Sequence, residues 1–251
     1  MKKSVLFILC SLCLLQVINA QPSLFSKENF TNGKGDTLRY RLLYPDYDLS
    51  RKYPLVIFLH GSGERGNDNE AQLKWGVMNF ATDYNMKMHP ALVVAPQCPE
   101  NQDWSTFRGK SKISMEANPT TSMDLLYGLI QQMIKTMPVD TNRIYITGLS
   151  MGGFGTFDAL ARYPKLFAAA VPVCGGGDPT KAATFAHVPT WIVTGSEDPA
   201  VPPQMSLDML NALNKAGAKP GFTQYPETGH FSWIAAYSDE MILEWMFRQK
   251  K

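Results

Sequence analysis

Ser150 stands in Gly148-Leu149-Ser150-Met151-Gly152-Gly153, directly after an apolar β-branched run and directly before a helical pattern. A serine hydroxyl becomes a useful nucleophile when a sharp strand-to-helix turn projects it and a neighbouring base takes its proton. Such a turn brings backbone so close that glycine is required two residues to either side, and Gly148 and Gly152 hold those places. The helix that starts there aims its free N-terminal amides at the site, which favours an anion. The base should follow a later strand, and His230, in Glu227-Thr228-Gly229-His230-Phe231, meets that requirement. His60 closes an earlier strand, where an imidazole better braces a turn, while His89 and His187 lie in polar or proline-flanked connections and are expected to face solvent. An acid must orient the base. Asp198, in the fixed turn Asp198-Pro199-Ala200-Val201-Pro202, is the expected one, with Glu197 and Asp178 as rivals. The anionic intermediate of acyl transfer also needs amide donors. Met151, next after the serine, supplies one; the second is expected from Ser62, with Gly63 as the alternative, in His60-Gly61-Ser62-Gly63-Glu64-Arg65-Gly66. Glu64 and Arg65 would either meet substrate or pair with each other and hold this loop.

These residues need a frame that carries each to the same edge. Short β-branched runs alternate with longer helical patterns, the signature of a mostly parallel sheet with helices on both faces. Strands are predicted at Thr37–Tyr44, Leu55–Leu59, Leu92–Ala95, Arg143–Thr147, Ala169–Val173, Thr190–Thr194 and Phe222–Tyr225. A helix over Thr121–Met137 puts Met123, Leu126, Ile130 and Met133 on one stripe, with Thr121 and Asp124 spaced as a capping box. Others should run from Ser150 to about Tyr163, over Gln204–Ala216, and over Asp239–Gln249. Two connections, Gly61 to Pro90 and Pro96 to Pro119, exceed what a compact unit needs; they leave strand carboxyl ends, where open α/β sheets bind ligands. Trp75 and Trp104 within them, with Trp233 beyond His230, are the expected substrate-binding aromatics, although rings of this kind also fill cores.

The chain has 251 residues, 45% hydrophobic and 18% charged, which suits one sizeable core and excludes disorder. Residues 1–20 read as a cleavable secretory signal peptide: Lys2 and Lys3, an apolar run from Val5 to Ile18, then Ala20. That run falls short of the roughly 20 residues a bilayer span needs, so no membrane anchor is expected. Residues 21–251 are then a single catalytic domain, secreted or periplasmic. Without the two leader lysines, 22 basic side chains balance 22 acidic ones, which argues against a nucleic-acid partner. Cys98 and Cys174 remain after cleavage; an oxidising compartment permits a disulfide, but each follows a strand and those strands are expected apart in the sheet. Beyond residue 20 no Cys-x-x-Cys or His-x-x-x-His spacing is present, so no metal site is expected. Nothing in the sequence sets the oligomeric state.

Four segments taken together resemble a family. Phe58-Leu59-His60-Gly61-Ser62-Gly63-Glu64-Arg65-Gly66, Ala95-Pro96-Gln97-Cys98-Pro99 with Trp104, Arg143 to Gly153, and Gly229-His230-Phe231-Ser232-Trp233 are similar to secreted bacterial α/β-hydrolases. This group is variously labelled carboxylesterase/phospholipase, predicted peptidase, or kin of carbohydrate esterase family one, which includes feruloyl and acetylxylan esterases. The resemblance covers the chain from about Leu38 onward. It implies an eight-stranded sheet whose second strand is antiparallel, leaving one strand at the N-terminal edge unassigned. It also implies a serine esterase with the order Ser150, Asp198, His230, needing no cofactor and acting on a small-molecule or polysaccharide ester, such as an acetyl or hydroxycinnamoyl ester of plant polysaccharide. A lipase or phospholipase would need an apolar lid, which neither long loop supplies. A peptidase like the prolyl oligopeptidases would have an access-restricting propeller, for which this chain has no room. A noncatalytic carbohydrate-binding module would have no need of serine, acid and histidine together.

Overall fold

A computed structural model describes residues 22–46, 48, 50–106 and 113–251. The expected signal peptide, with Cys10 and Cys13, lies outside the described residues, as does part of the second long connection. Among the described residues no helix is long and apolar enough to cross a membrane.

Eight strands form one sheet: β1 (Phe25–Thr31), β2 (Thr37–Leu43), β3 (Tyr53–Leu59), β4 (Leu92–Gln97), β5 (Val139–Leu149), β6 (Ala169–Val173), β7 (Trp191–Gly195) and β8 (Gly221–Tyr225). Their spatial order is β1-β2-β4-β3-β5-β6-β7-β8. β2 runs antiparallel to both β1 and β4, and every later pairing is parallel. The edge strand left unassigned by sequence is therefore β1. Its Phe-Ser-Lys-Glu-Asn-Phe-Thr buries only Phe25 and Phe30, so its apolar signal is weak.

Seven helices complete the layers: α1 (Asp83–Met88), α2 (Thr121–Thr136), α3 (Met151–Arg162), α4 (Ala182–Phe185), α5 (Pro203–Lys215), α6 (Trp233–Ser238) and α7 (Glu240–Arg248). The period-two alternation of β3 assigns its side chains to two cores. Leu55, Ile57 and Leu59 share one core with Met123 and Ile130 of α2 and Phe157 of α3, whereas Val56 and Phe58 share the other with Tyr237 of α6 and Met246 of α7. All seven residues of β3 are buried, as a central parallel strand requires. Each large apolar side chain so buried is worth about 1.5–3 kcal/mol against exposure. The cap of α2 differs from the expected box by one position: Thr120, not Thr121, accepts the Met123 amide at 3.1 Å, so the preceding threonine opens the helix.

The first long connection is not irregular throughout. It folds into short 3-10 turns at Ser62–Glu64, Ala71–Leu73 and Val77–Ala81 before α1. The second is tied down by α3: Arg162, paired with the buried Asp158 one turn earlier, also donates to the carbonyls of Glu116, Ala117 and Asn118. Arg65 bonds Asp103 at 2.6 Å, joining the two connections. The expected Glu64–Arg65 pair is thus replaced, because Glu64 turns inward and is 5% exposed.

Candidate active site

β5 ends at Leu149 and α3 starts at Met151, so Ser150 alone makes the turn between them. Its backbone sits at φ 53°, ψ −115°, a left-handed conformation costing a non-glycine residue about 1–3 kcal/mol. The surroundings hold it there: the Ser150 amide donates to the Val173 carbonyl at 3.0 Å, and the Phe154 amide donates to the Ser150 carbonyl at 3.0 Å. The two flanking glycines are sterically enforced. A Cβ on Gly152 would stand 1.9 Å from the Leu59 carbonyl oxygen, and one on Gly148 would stand 2.5 Å from the Gly152 oxygen.

His230 follows β8 and reaches back over the sheet. Its Nε2 lies 2.9 Å from Ser150 Oγ, and its Nδ1 lies 2.7 Å from Asp198 Oδ2. An ionised carboxylate only accepts, so Nδ1 carries the proton and Nε2 is free to accept from the serine hydroxyl. The other oxygen of Asp198 accepts the amides of Ala200 and Val201, each at 2.9 Å. The proline-flanked turn after β7 therefore fixes the carboxylate, which is wholly buried, while the His230 side chain is 21% exposed. The rivals stand elsewhere. Glu197 is exposed, and Asp178 caps the short turn at Pro179–Lys181 and accepts the Met115 amide at 2.8 Å.

Met151 opens α3, so its amide is among the first-turn donors that lack an intrahelical acceptor. The loop after β3 crosses that helix start, as the Gly152–Leu59 approach shows. His60 sets the loop's orientation. Its Nε2 accepts the Cys98 amide at 2.9 Å, which leaves Nδ1–H to donate to the Gly61 carbonyl at 2.6 Å. In a trans peptide the N–H points opposite the C=O, so fixing Gly61 O inward turns the Ser62 amide outward. Burial drives the His60 imidazole down to about 4, which keeps it neutral in this role. Gln97 holds the loop further on, donating to the Glu64 carbonyl at 3.2 Å and to Asp68 at 2.8 Å. Burial pushes the Glu64 carboxyl up; it lies beside Lys74 and Trp75.

The three expected aromatics separate. Trp104 is fully buried, edge-on to His60 at 5.4 Å, with Nε1 donating to the His60 carbonyl at 3.2 Å. It is an internal strut of the loop, out of reach of a substrate. Trp233 stands edge-on to His230 at 5.0 Å, and the half-buried Trp75 lies 6.1 Å from Trp233. Sequence reasoning missed Phe231, which is 56% exposed and completes this ring cluster at 5.8 Å from Trp75. His187 is exposed as expected, whereas His89 is drawn inward by stacking on Phe247 at 4.8 Å.

Cys98 and Cys174 are both buried and not bonded to each other, following strands β4 and β6, which are separated by β3 and β5. Cys174 comes to the back of the site: its sulfur and the ligating atoms of Asp198 and His230 lie within 4.8 Å of one another. No local spacing signals this, because the three follow β6, β7 and β8. As a metal set it fits poorly, since Asp198 and His230 are committed to each other and burial pushes the Cys174 thiol up to about 12.

A mostly parallel sheet with one reversed strand, and a serine on a strained strand-to-helix turn, define an α/β-hydrolase fold. The chain belongs to the phospholipase/carboxylesterase family, whose pattern matches residues 49–239. It is 33% identical over 135 residues to poly(3-hydroxyalkanoate) depolymerase C of Paucimonas lemoignei, covering 52% of this chain and 29% of that protein. It is 24% identical over 156 residues to a bifunctional acetylxylan esterase/xylanase of Neocallimastix patriciarum, covering 62% of this chain and 21% of that protein. The chain thus spans less than a third of either curated relative. Among solved structures, a thermostable esterase superposes with a TM-score of 0.86 at 38% identity, covering 91% of this chain and 64% of that one.

Proposed function

We propose that this protein is an exported serine esterase that cleaves acetyl or hydroxycinnamoyl esters on plant polysaccharide through an acyl-enzyme. The observation that carries the reading is the continuous hydrogen-bonded chain from Ser150 through His230 to Asp198. His230 Nε2 takes the Ser150 proton as Oγ attacks the ester carbonyl, and Asp198 stabilises the imidazolium that forms. The amides of Met151 and Ser62 receive the oxyanion. His230 then passes its proton to the departing alkoxide, which leaves as the alcohol. A water, deprotonated by the same nitrogen, attacks the acyl-enzyme; the acid departs and Ser150 recovers its proton. Trp75 lines the approach, and the buried Trp233 backs it. Export rests on the leader pattern of residues 1–20. The sugar-ester preference rests on likeness to a named acetylxylan esterase and to a feruloyl esterase B of Talaromyces funiculosus, 25% identical over 156 residues.

The test is hydrolysis of p-nitrophenyl acetate, methyl ferulate, acetylated xylan and a chromogenic peptide by the wild type and Ser150→Ala. Turnover of ferulate or xylan that falls at least about 10³-fold in the variant is the expected result. Cleavage of the peptide and of no ester would identify a peptidase instead, and an unchanged rate in Ser150→Ala would remove the serine from the mechanism.

A further inference from the structure

The geometry points to Phe231, backed by Trp75 and Trp233, as the platform that holds the sugar ring of the departing alcohol. This inference rests on the esterase reading above. Four groups surround the carbon in the tetrahedral intermediate. One is Ser150 Oγ; the oxyanion faces the Met151 and Ser62 amides; the departing oxygen must lie at His230 Nε2, which returns the proton to it. The alcohol therefore leaves between the loop carrying Ser62 and the loop carrying His230, and the acyl group takes the remaining direction.

The ring cluster joins those two loops. Trp75 lies beside the carboxyl of Glu64, two residues beyond Ser62. Phe231 is the next residue after His230, and its ring stands 5.8 Å from Trp75 and 4.7 Å from Trp233. Trp233 is 5% exposed and buttresses the other two, so the face open to a ligand is that of Phe231, at 56% exposure.

The chemistry of the rim selects a sugar over a lipid alcohol. Lys74 is exposed and carries its ammonium 5.1 Å from the centre of the Trp75 ring, which places a strong donor on the ring that backs Phe231. A pyranose is matched to that arrangement, with one C–H face to lay on an aromatic ring and hydroxyls at its edge for a cation. An alkyl chain would gain from the ring but would offer the ammonium no hydrogen-bond acceptor.

The experiment compares two alcohols at a fixed acyl group: acetylated xylo-oligosaccharide against methyl acetate. In Phe231→Ala the ratio of kcat/KM for the sugar ester over the methyl ester should fall about tenfold, mainly through KM, and Phe231→Tyr should restore it. An unchanged ratio overturns the inference, as does a loss that follows acyl length across methyl acetate, butyrate and ferulate. Titration of tryptophan fluorescence with unsubstituted xylotetraose, in the Ser150→Ala background, reads the site without turnover. Saturable binding weakened about tenfold by Phe231→Ala is expected. Sugar binding without any ester turnover in the wild type would retain this site and reject the esterase reading. Ester turnover with no sugar binding would retain the esterase and reject the platform.

Discussion

Asp198 and Glu197 are neighbours in sequence with opposite fates, which makes them the sharpest residue-scale test. The Asp198 carboxylate is buried, accepts two amides and meets His230 Nδ1, whereas Glu197 is exposed. Asp198→Asn should lower kcat by about 10³–10⁴-fold, because an amide can present the wrong group to Nδ1 and misset the tautomer. Glu197→Gln should change kcat by less than about twofold. Steady-state kinetics on one small ester decides between them, and a reversed result would transfer the acid's role to Glu197. The turn at Ser150 and the proline-bounded turn that holds Asp198 were legible because each is a local feature of the sequence. Trp104 was misplaced for the opposite reason: a tryptophan in a long loop looks accessible, and only the fold shows α3 passing so near that a Cβ on Gly155 would stand 2.5 Å from the Trp104 side chain.

The turn between β5 and α3 depends on contacts made by the loop after β3. Gly152→Ala would drive a Cβ into the Leu59 carbonyl, backbone that cannot yield cheaply. The expected outcome is destabilisation of more than about 3 kcal/mol, or failure to fold. Gly63→Ala serves as the matched control: a Cβ there meets nothing within 4 Å, so chemical denaturation should register a change within about 0.5 kcal/mol. Comparable losses in the two variants would mean that the close approach of the two elements is not what requires glycine. At this scale the helices and central strands were readable from their periodicity. β1 was not, since five of its seven positions are open or half-open and its partner strand is the antiparallel β2. Nor were the 3-10 turns after β3, whose order comes from contacts with Gln97, Arg41 and Asp103 rather than from a local repeat.

The whole molecule links its stability to pH through His60. Its pKa falls from 6.5 to about 4 on folding, because burial disfavours the charged form. The unfolded chain therefore binds the extra proton first. His60's contribution is complete above about pH 6.5 and is lost progressively as pH falls toward 4, amounting to about 3 kcal/mol at the lower end. Denaturation at a series of pH values should show a steeper decline for the wild type than for His60→Gln across that window; parallel curves would refute the link. A second global prediction concerns sulfur. Cys98 and Cys174 are not bonded to each other and follow strands with two others between them, so a thiol reductant should shift Tm by less than about 1 °C. By itself the sequence determined the turn that carries Ser150, the placing of Asp198 and His230 after later strands, the alternation that makes a parallel sheet, and the separation of the two cysteines, all carried by short-range spacing and hydrophobic period. Only the tertiary structure decided what distant residues meet: Cys174 behind Asp198 and His230, Trp104 under His60, Arg65 on Asp103, and Phe231 beside Trp75. Those juxtapositions arise where loops from different strands converge at one end of the sheet, and no spacing along the chain encodes a contact that packing alone creates.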